Sequence, residues 1–379
     1  MVQVLYRKYR PKAFAEIEGQ EHVVRTLQGA LLSGRVGHAY LFCGPRGTGK
    51  TTMARLLAKA LNCLKREEKG DTEPCNACPF CRDINEGRSL DLIEIDAASN
   101  RGIDEIRNLK DSAMVAAPSG KYKVFIIDEV HMLTPPAFNA LLKILEEPPA
   151  HVVFVLATTE PHKVFDTILS RVQRFDFKKI SADKIIGKLK RIVRMEKINI
   201  EEPALVALAS AASGSLRDAE SSLNKLIAFT SSEKITAEDA AEVLGVVPLQ
   251  IHENLIDLIA QKKPQEAIAQ ISNLFESGIE LEYFNKQFIR YLRALLIAKI
   301  GYFPTAPAAQ ARPSFASQNL GGQASLAEQH VSPKGNADMA PEFLIKAISL
   351  FVKAGAELKF SPIPQLPLEL AILELTKTP

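Results

Sequence analysis

Residues 44–52 read Gly44-Pro45-Arg46-Gly47-Thr48-Gly49-Lys50-Thr51-Thr52, and no other stretch constrains the fold as tightly. The spacing is G-x-x-x-x-G-K-[ST]. Its glycines let the backbone turn tightly enough for several N–H groups to converge on phosphate oxygens. A helix starting near Gly49 adds its positive N-terminal end at the same point. Lys50 is then placed to reach β- and γ-phosphates, and the Thr51 hydroxyl to ligate Mg²⁺. This chemistry needs a buried strand before the loop and a helix after it. Residues 38–43 form an apolar β-like run, and 51–62 carry Leu56, Leu57, Ala60 and Leu61 on one helical stripe. A glycine-rich turn that binds nothing has no need of that context.

The second half of such a site is a buried strand ending in acids. Residues 124–129, Val-Phe-Ile-Ile-Asp128-Glu129, supply it. Asp128 is expected to hold Mg²⁺, directly or through water, and Glu129 to polarise the attacking water. Taken alone, the segment could equally be a solvated acidic pair at a strand end. Further β-like runs at 91–95, 152–158 and 173–177 alternate with helical patterns. Residues 1–180 therefore read as an α/β domain with a mostly parallel sheet buried on both faces. Residues 181–245 read as a small helical domain, with Ile185, Leu189, Ile192 and Val193 on one stripe, and 246–379 as a second helical region. Inside it, 304–341 is rich in Pro, Ala, Ser, Gln and Gly and reads as a flexible insertion. No apolar run reaches the roughly 18 to 20 residues that span a bilayer. The N-terminal MVQVLYRKYRPKAF has no apolar signal core, so a cytoplasmic protein without membrane contact is expected. A net charge of +3 gives no argument for nucleic acid by itself.

Four of the five cysteines crowd together as Cys63-x11-Cys75-x2-Cys78-x2-Cys81. Four clustered thiols in a cytosolic chain suggest a metal rather than disulfides. Tetrahedral Zn²⁺ suits four thiolates, and an iron–sulfur cluster could use a similar core. Cys43 stands apart and reads as a small buried apolar residue. The seven histidines do not join the cysteines, and His131 reads as a packed or polar loop residue.

Several runs together carry a more specific resemblance: KYRP at 8–11, GQEHV at 19–23, HAYLFCGPRGTGKTT at 38–52, IIDEVHML at 126–133, FNALLKILEEPP at 138–149, LATTEP at 156–161, ILSR at 168–171, GSLRDA at 214–219 and QLPLELAILEL at 365–375. With them the chain resembles the gamma/tau subunits of the bacterial DNA polymerase III clamp loader, which are AAA+ ATPases. The resemblance runs through nearly the whole chain. It implies a parallel-sheet ATPase core (1–180) with structural zinc on Cys63, Cys75, Cys78 and Cys81, then a helical lid (181–245) and a helical collar domain (246–379). It implies ATP as substrate with Mg²⁺. Thr158 or Thr159 becomes the γ-phosphate sensor and Arg217 the lid sensor. Arg171 becomes the arginine finger acting on a neighbour's ATP, although the family's Ser-Arg-Cys is here Ser170-Arg171-Val172. Tyr9-Arg10-Pro11 would lie near adenine, and Arg101 is one candidate for a DNA contact. The implied partners are delta and delta-prime subunits, other gamma/tau copies, the sliding clamp (beta) and primed DNA. The family is classed with DNA-directed DNA polymerase, though the chain shows no polymerase active site. Two rivals share part of the pattern: a branch-migration motor and a non-hydrolysing loader subunit. The cysteines and helical C-terminal region oppose the first, and the intact phosphate loop with Glu129 opposes the second.

Overall fold

The computed structural model describes residues 4–69, 71–230, 234–245, 247–300 and 339–377. Of the expected flexible insertion, 304–338 lies outside the described residues. Its last residue, Pro341, instead opens the helix Pro341–Glu357. Proline is tolerated there because a first-turn N–H has no intrahelical partner. The chain divides into two compact units: Met1–Asn199 with Leu208–Ala228, and Ile200–Ala207 with Phe229–Pro379. That partition cuts across the proposed lid, 181–245. No single helix among the described residues is long and apolar enough to cross a membrane.

The first unit is built on five parallel strands: β1 (Ala39–Cys43), β2 (Leu92–Asp96), β3 (Lys123–Asp128), β4 (Val152–Thr158) and β5 (Gln173–Asp176), in the order β2-β3-β4-β1-β5. Each begins and ends within a residue of the expected run. Every residue of β1 and β4 is buried, because helices cover both faces. Alternate residues therefore enter two different cores. Tyr40, Phe42, Val124, Ile126, Val153 and Val155 face one, with Met53 and Leu57 of the helix Lys50–Asn62. Leu41, Phe125, Ile127, Phe154 and Leu156 face the other, with Ile106, Leu109, Leu141 and Ile144. β5 is an edge strand: Phe175 is buried while Gln173, Arg174 and Asp176 are exposed.

The second unit is helical. Its core joins Leu255, Ile259, Ile271, Phe284, Phe288, Leu292, Leu344, Phe351, Leu368 and Ile372. These come from Leu249–Ala260, Pro264–Glu276, Leu281–Lys299, Pro341–Glu357 and Leu366–Thr376. Phe288 packs edge-on against Phe351 with ring centroids 4.8 Å apart, a preferred aromatic geometry.

Candidate nucleotide site and metal centre

Strand order places a topological switch point at β1. Ligands of open parallel sheets bind beyond the carboxyl ends of the strands at such a point. β1 runs directly into the phosphate loop. Gly44 has φ 145°, and a Cβ there would stand 2.4 Å from the Phe177 carbonyl oxygen, so only glycine fits. Gly49 caps the following helix at φ 101°. Gly47 accepts a hydrogen bond from the Leu216 amide at 3.1 Å, and a Cβ on it would meet Ser215 Oγ at 1.9 Å. The loop is thus seated against the start of the helix Leu216–Phe229.

A cavity of about 480 Å³ opens beside the loop. Its walls include Arg46, Gly47, Thr48, Gly49, Lys50, Thr51 and Thr52, then Asp128 and Glu129, then Arg10, Pro11, Arg217 and Glu220. Lys50 is 6% exposed, and its Nζ donates to the Gly44 and Pro45 carbonyls at 2.7 and 2.9 Å. Burial holds this ammonium below the usual lysine range, against the opposing pull of Glu129 and Asp128. Thr51 Oγ1 donates to Asp128 Oδ2 at 2.8 Å. Loop and β3 therefore present two hard oxygen donors side by side, the donor set Mg²⁺ prefers.

Glu129 takes φ 48° and ψ 46°, left-handed for a non-glycine residue. Such backbone costs about 1–3 kcal/mol and concentrates at functional sites. Its Oε2 accepts from the Thr159 amide at 3.1 Å and Thr159 Oγ1 at 2.8 Å. Thr158 is fully buried; its Oγ1 lies 2.9 Å from His131 Nδ1 and accepts from the Glu160 amide at 3.0 Å. His131 also stands 3.4 Å from Glu129 Oε2. The threonine in direct contact with the acid is thus Thr159, while Thr158 engages the histidine. His131 had no signal in sequence beyond following two acids, and its place in this network comes from the fold.

Arg217 sets its guanidinium 5.0 Å from the centre of the Tyr6 ring, on the cavity wall. Arg171 is not part of that wall. It donates to Thr167 O at 2.7 Å and pairs with Glu146 Oε1 at 2.7 Å. Tyr9, also off the wall, hydrogen-bonds Glu196 Oε1 at 2.5 Å. Arg101 is exposed and donates to the Ala98 carbonyl at 2.9 Å. Gln20 stands in the GQEHV run, but no role for it was legible in the sequence. Its fully buried amide bonds the Lys178 backbone at both ends, 2.7 and 3.1 Å, and reaches Thr48 O at 3.4 Å, tying the loop to the chain after β5.

The Sγ atoms of Cys63, Cys75, Cys78 and Cys81 lie within 4.8 Å of one another, and none is in a disulfide. Four ligands at a Zn–S distance of about 2.3 Å stand about 3.8 Å apart, so the cluster matches one tetrahedral ion. Backbone amides favour the thiolate form. Cys75 N–H donates to Cys63 Sγ at 3.3 Å, and Ala77 and Cys78 N–H donate to Cys75 Sγ at 3.4 and 3.3 Å. Desolvation opposes ionisation of Cys75, yet these amides and neighbouring thiols bring it down to about 6. Cys43 stays outside the cluster, buried, its thiol pushed up to about 11 by burial.

Family models tile almost the whole chain. One described as DNA polymerase III, delta subunit, matches residues 19–181; the clamp loader subunit ATPase lid domain matches 184–232; domain III of DNA polymerase III subunits gamma and tau matches 235–379. The chain is 41% identical to DNA polymerase III subunit tau of Bacillus subtilis over 99% of its own length and 63% of that protein. It is 44% identical to subunit tau of Escherichia coli over 79% of its length and 46% of that protein. To subunit gamma/tau of Mycobacterium tuberculosis it is 40% identical, over 77% and 50%. The chain thus spans between about half and two thirds of these relatives. A Thermotoga maritima RuvB Holliday junction branch migration motor aligns at TM-score 0.46 and 18% identity, covering 66% of this chain and 79% of that one. With models of the ATPase lid and of gamma and tau domain III side by side, and a tau relative matching 99% of this chain, the chain belongs to the gamma/tau family of DNA polymerase III subunits.

Proposed function

We propose that this chain hydrolyses ATP as a motor subunit of a sliding-clamp loader in DNA replication. The observation that carries the proposal is the 2.8 Å contact between Thr51 and Asp128, which brings the phosphate loop and the acidic end of β3 into one site beside Lys50. Loop amides and Lys50 bind the β- and γ-phosphates. Magnesium, held by Thr51 and Asp128, neutralises charge on the phosphates when bound. Glu129 orients a water against the γ-phosphorus and takes its proton as the bond to the β-phosphate oxygen breaks, releasing ADP and phosphate. Thr159 holds the Glu129 carboxylate in place through two hydrogen bonds. Arg217 contacts the γ-phosphate from the lid side, and Thr158 supports the sensor position through His131.

Cys63, Cys75, Cys78 and Cys81 would hold a zinc ion in a structural role, with four protein thiolates as its ligands. The lid is 181–245 and the collar 246–379. The partners are delta and delta-prime subunits, further gamma/tau copies, the clamp and primed DNA. ATP binding opens the clamp, and hydrolysis triggered by primed DNA lets it close on the duplex. Contacts to DNA run through its phosphates, so binding weakens as salt rises.

The test is ATP turnover by the chain assembled with its loader partners, clamp and primed DNA. The stimulated rate should fall roughly two orders of magnitude in Lys50→Ala, the scale of losing one charge-stabilising donor. A Lys50→Ala assembly that turns over normally places the nucleotide site elsewhere.

A further inference from the structure

Lys59 shares the helix Lys50–Asn62 with the phosphate-loop lysine, yet it serves the other end of that helix. It is 2% exposed, a rare state for lysine. All three of its N–H donors are used: Nζ donates to Lys12 O at 2.8 Å, Asn76 Oδ1 at 2.8 Å and Asn85 Oδ1 at 3.0 Å. Every acceptor is neutral, and no carboxylate of the described residues pairs with it.

Two of those acceptors belong to the cysteine segment. Asn76 follows Cys75, and Asn85 sits one turn beyond Cys81 on the helix Pro79–Glu86. Asn76 adopts φ 55° and donates its amide to the Lys12 carbonyl at 3.0 Å. One divalent ion on four thiolates carries a net charge of −2, and three of these cysteines are buried. A buried dianion is costly unless a cation is buried with it.

We infer that Lys59 is the counter-charge of the cysteine centre and the tether that fixes it to the phosphate-loop helix. The role presupposes zinc on the four cysteines, and it makes Lys59 a positioning residue, outside the chemistry of ATP.

The experiment follows zinc release from the zinc-loaded full chain into a chromophoric chelator, with metal content measured beforehand. Lys59→Gln keeps hydrogen-bond donors and removes the charge. Asn85→Asp keeps the lysine and gives it a competing carboxylate. Each should release zinc about 10- to 100-fold faster than wild type, the usual effect of losing an outer-layer partner of a metal site. Circular dichroism should show unchanged helix content while zinc is bound. Wild-type release rates in both variants overturn the inference; if Lys59→Gln does not fold, Asn85→Asp decides alone. A wild-type chain that takes up no zinc removes the metal assignment, and the counter-charge role with it.

Discussion

Glu220 lies in the wall of the candidate nucleotide cavity at 6% exposure. Burial pushes its carboxyl up to about 7, although Lys188 and Arg10 pull the other way. The folded chain therefore binds this proton more tightly than the unfolded chain, where the ordinary value is 4.5. The neutral carboxyl favours the fold below pH 4.5, and that advantage is lost as pH rises through 7. One pH unit of such a gap is worth about 1.4 kcal/mol, so the loss by pH 8 is on the order of 3 kcal/mol. Glu220→Gln should match wild type in thermal stability near pH 4.5 and exceed it near pH 8. Melting curves at both pH values check this, and a constant difference across the range would show that the carboxyl does not titrate as described. Nothing in GSLRDAE marks this glutamate as different from a solvated helix residue; only its burial in the cavity wall does so.

At the scale of elements, one glycine shows how packing overrides propensity. Gly355 lies inside the helix Pro341–Glu357, where replacement by alanine normally gains about 1 kcal/mol. Here a Cβ would stand 2.6 Å from Asn285 Nδ2. That amide is 1% exposed and donates to the Phe351 carbonyl at 3.0 Å, so it cannot withdraw without losing its bond. Overpacking costs about 1–3 kcal/mol and outweighs the helical gain. Gly355→Ala should lower the urea midpoint of the second unit, and a raised midpoint would mean that Asn285 moves freely. This clash was not legible beforehand, since it joins positions seventy residues apart. The strands were, because short continuous β-branched and aromatic runs such as VFII and VVFVLA suit a sheet buried on both faces. The phosphate loop and the cysteine spacing were legible for a related reason: each carries its geometry within a short stretch. Gln20, His131 and Lys59 do not, because their partners arrive from other segments.

At the scale of the whole molecule, the cavity gathers Lys50, Thr51, Asp128, Glu129 and Arg217 but leaves Arg171 out. Arg171 is instead held by Glu146 and Thr167. The Arg171 and Glu146 side chains are 34% and 49% exposed, and such surface pairs contribute at most about 1 kcal/mol. The guanidinium can therefore be redirected at little cost to a phosphate presented by an adjacent subunit. Charge supplied in trans in this way accelerates nucleotide hydrolysis by orders of magnitude. An assembly carrying only Arg171→Ala chains should bind ATP normally, by fluorescent-nucleotide titration, and hydrolyse it at least tenfold more slowly. Mixing distinguishes trans from cis action. A Lys50→Ala chain has a dead loop and an intact Arg171; an Arg171→Ala chain has the reverse. Placed side by side, they complete a site between them, so a mixed assembly should turn over faster than either variant alone. Were Arg171 to act within its own chain, no mixture could restore a site, and the mixed rate would stay at the average of the two.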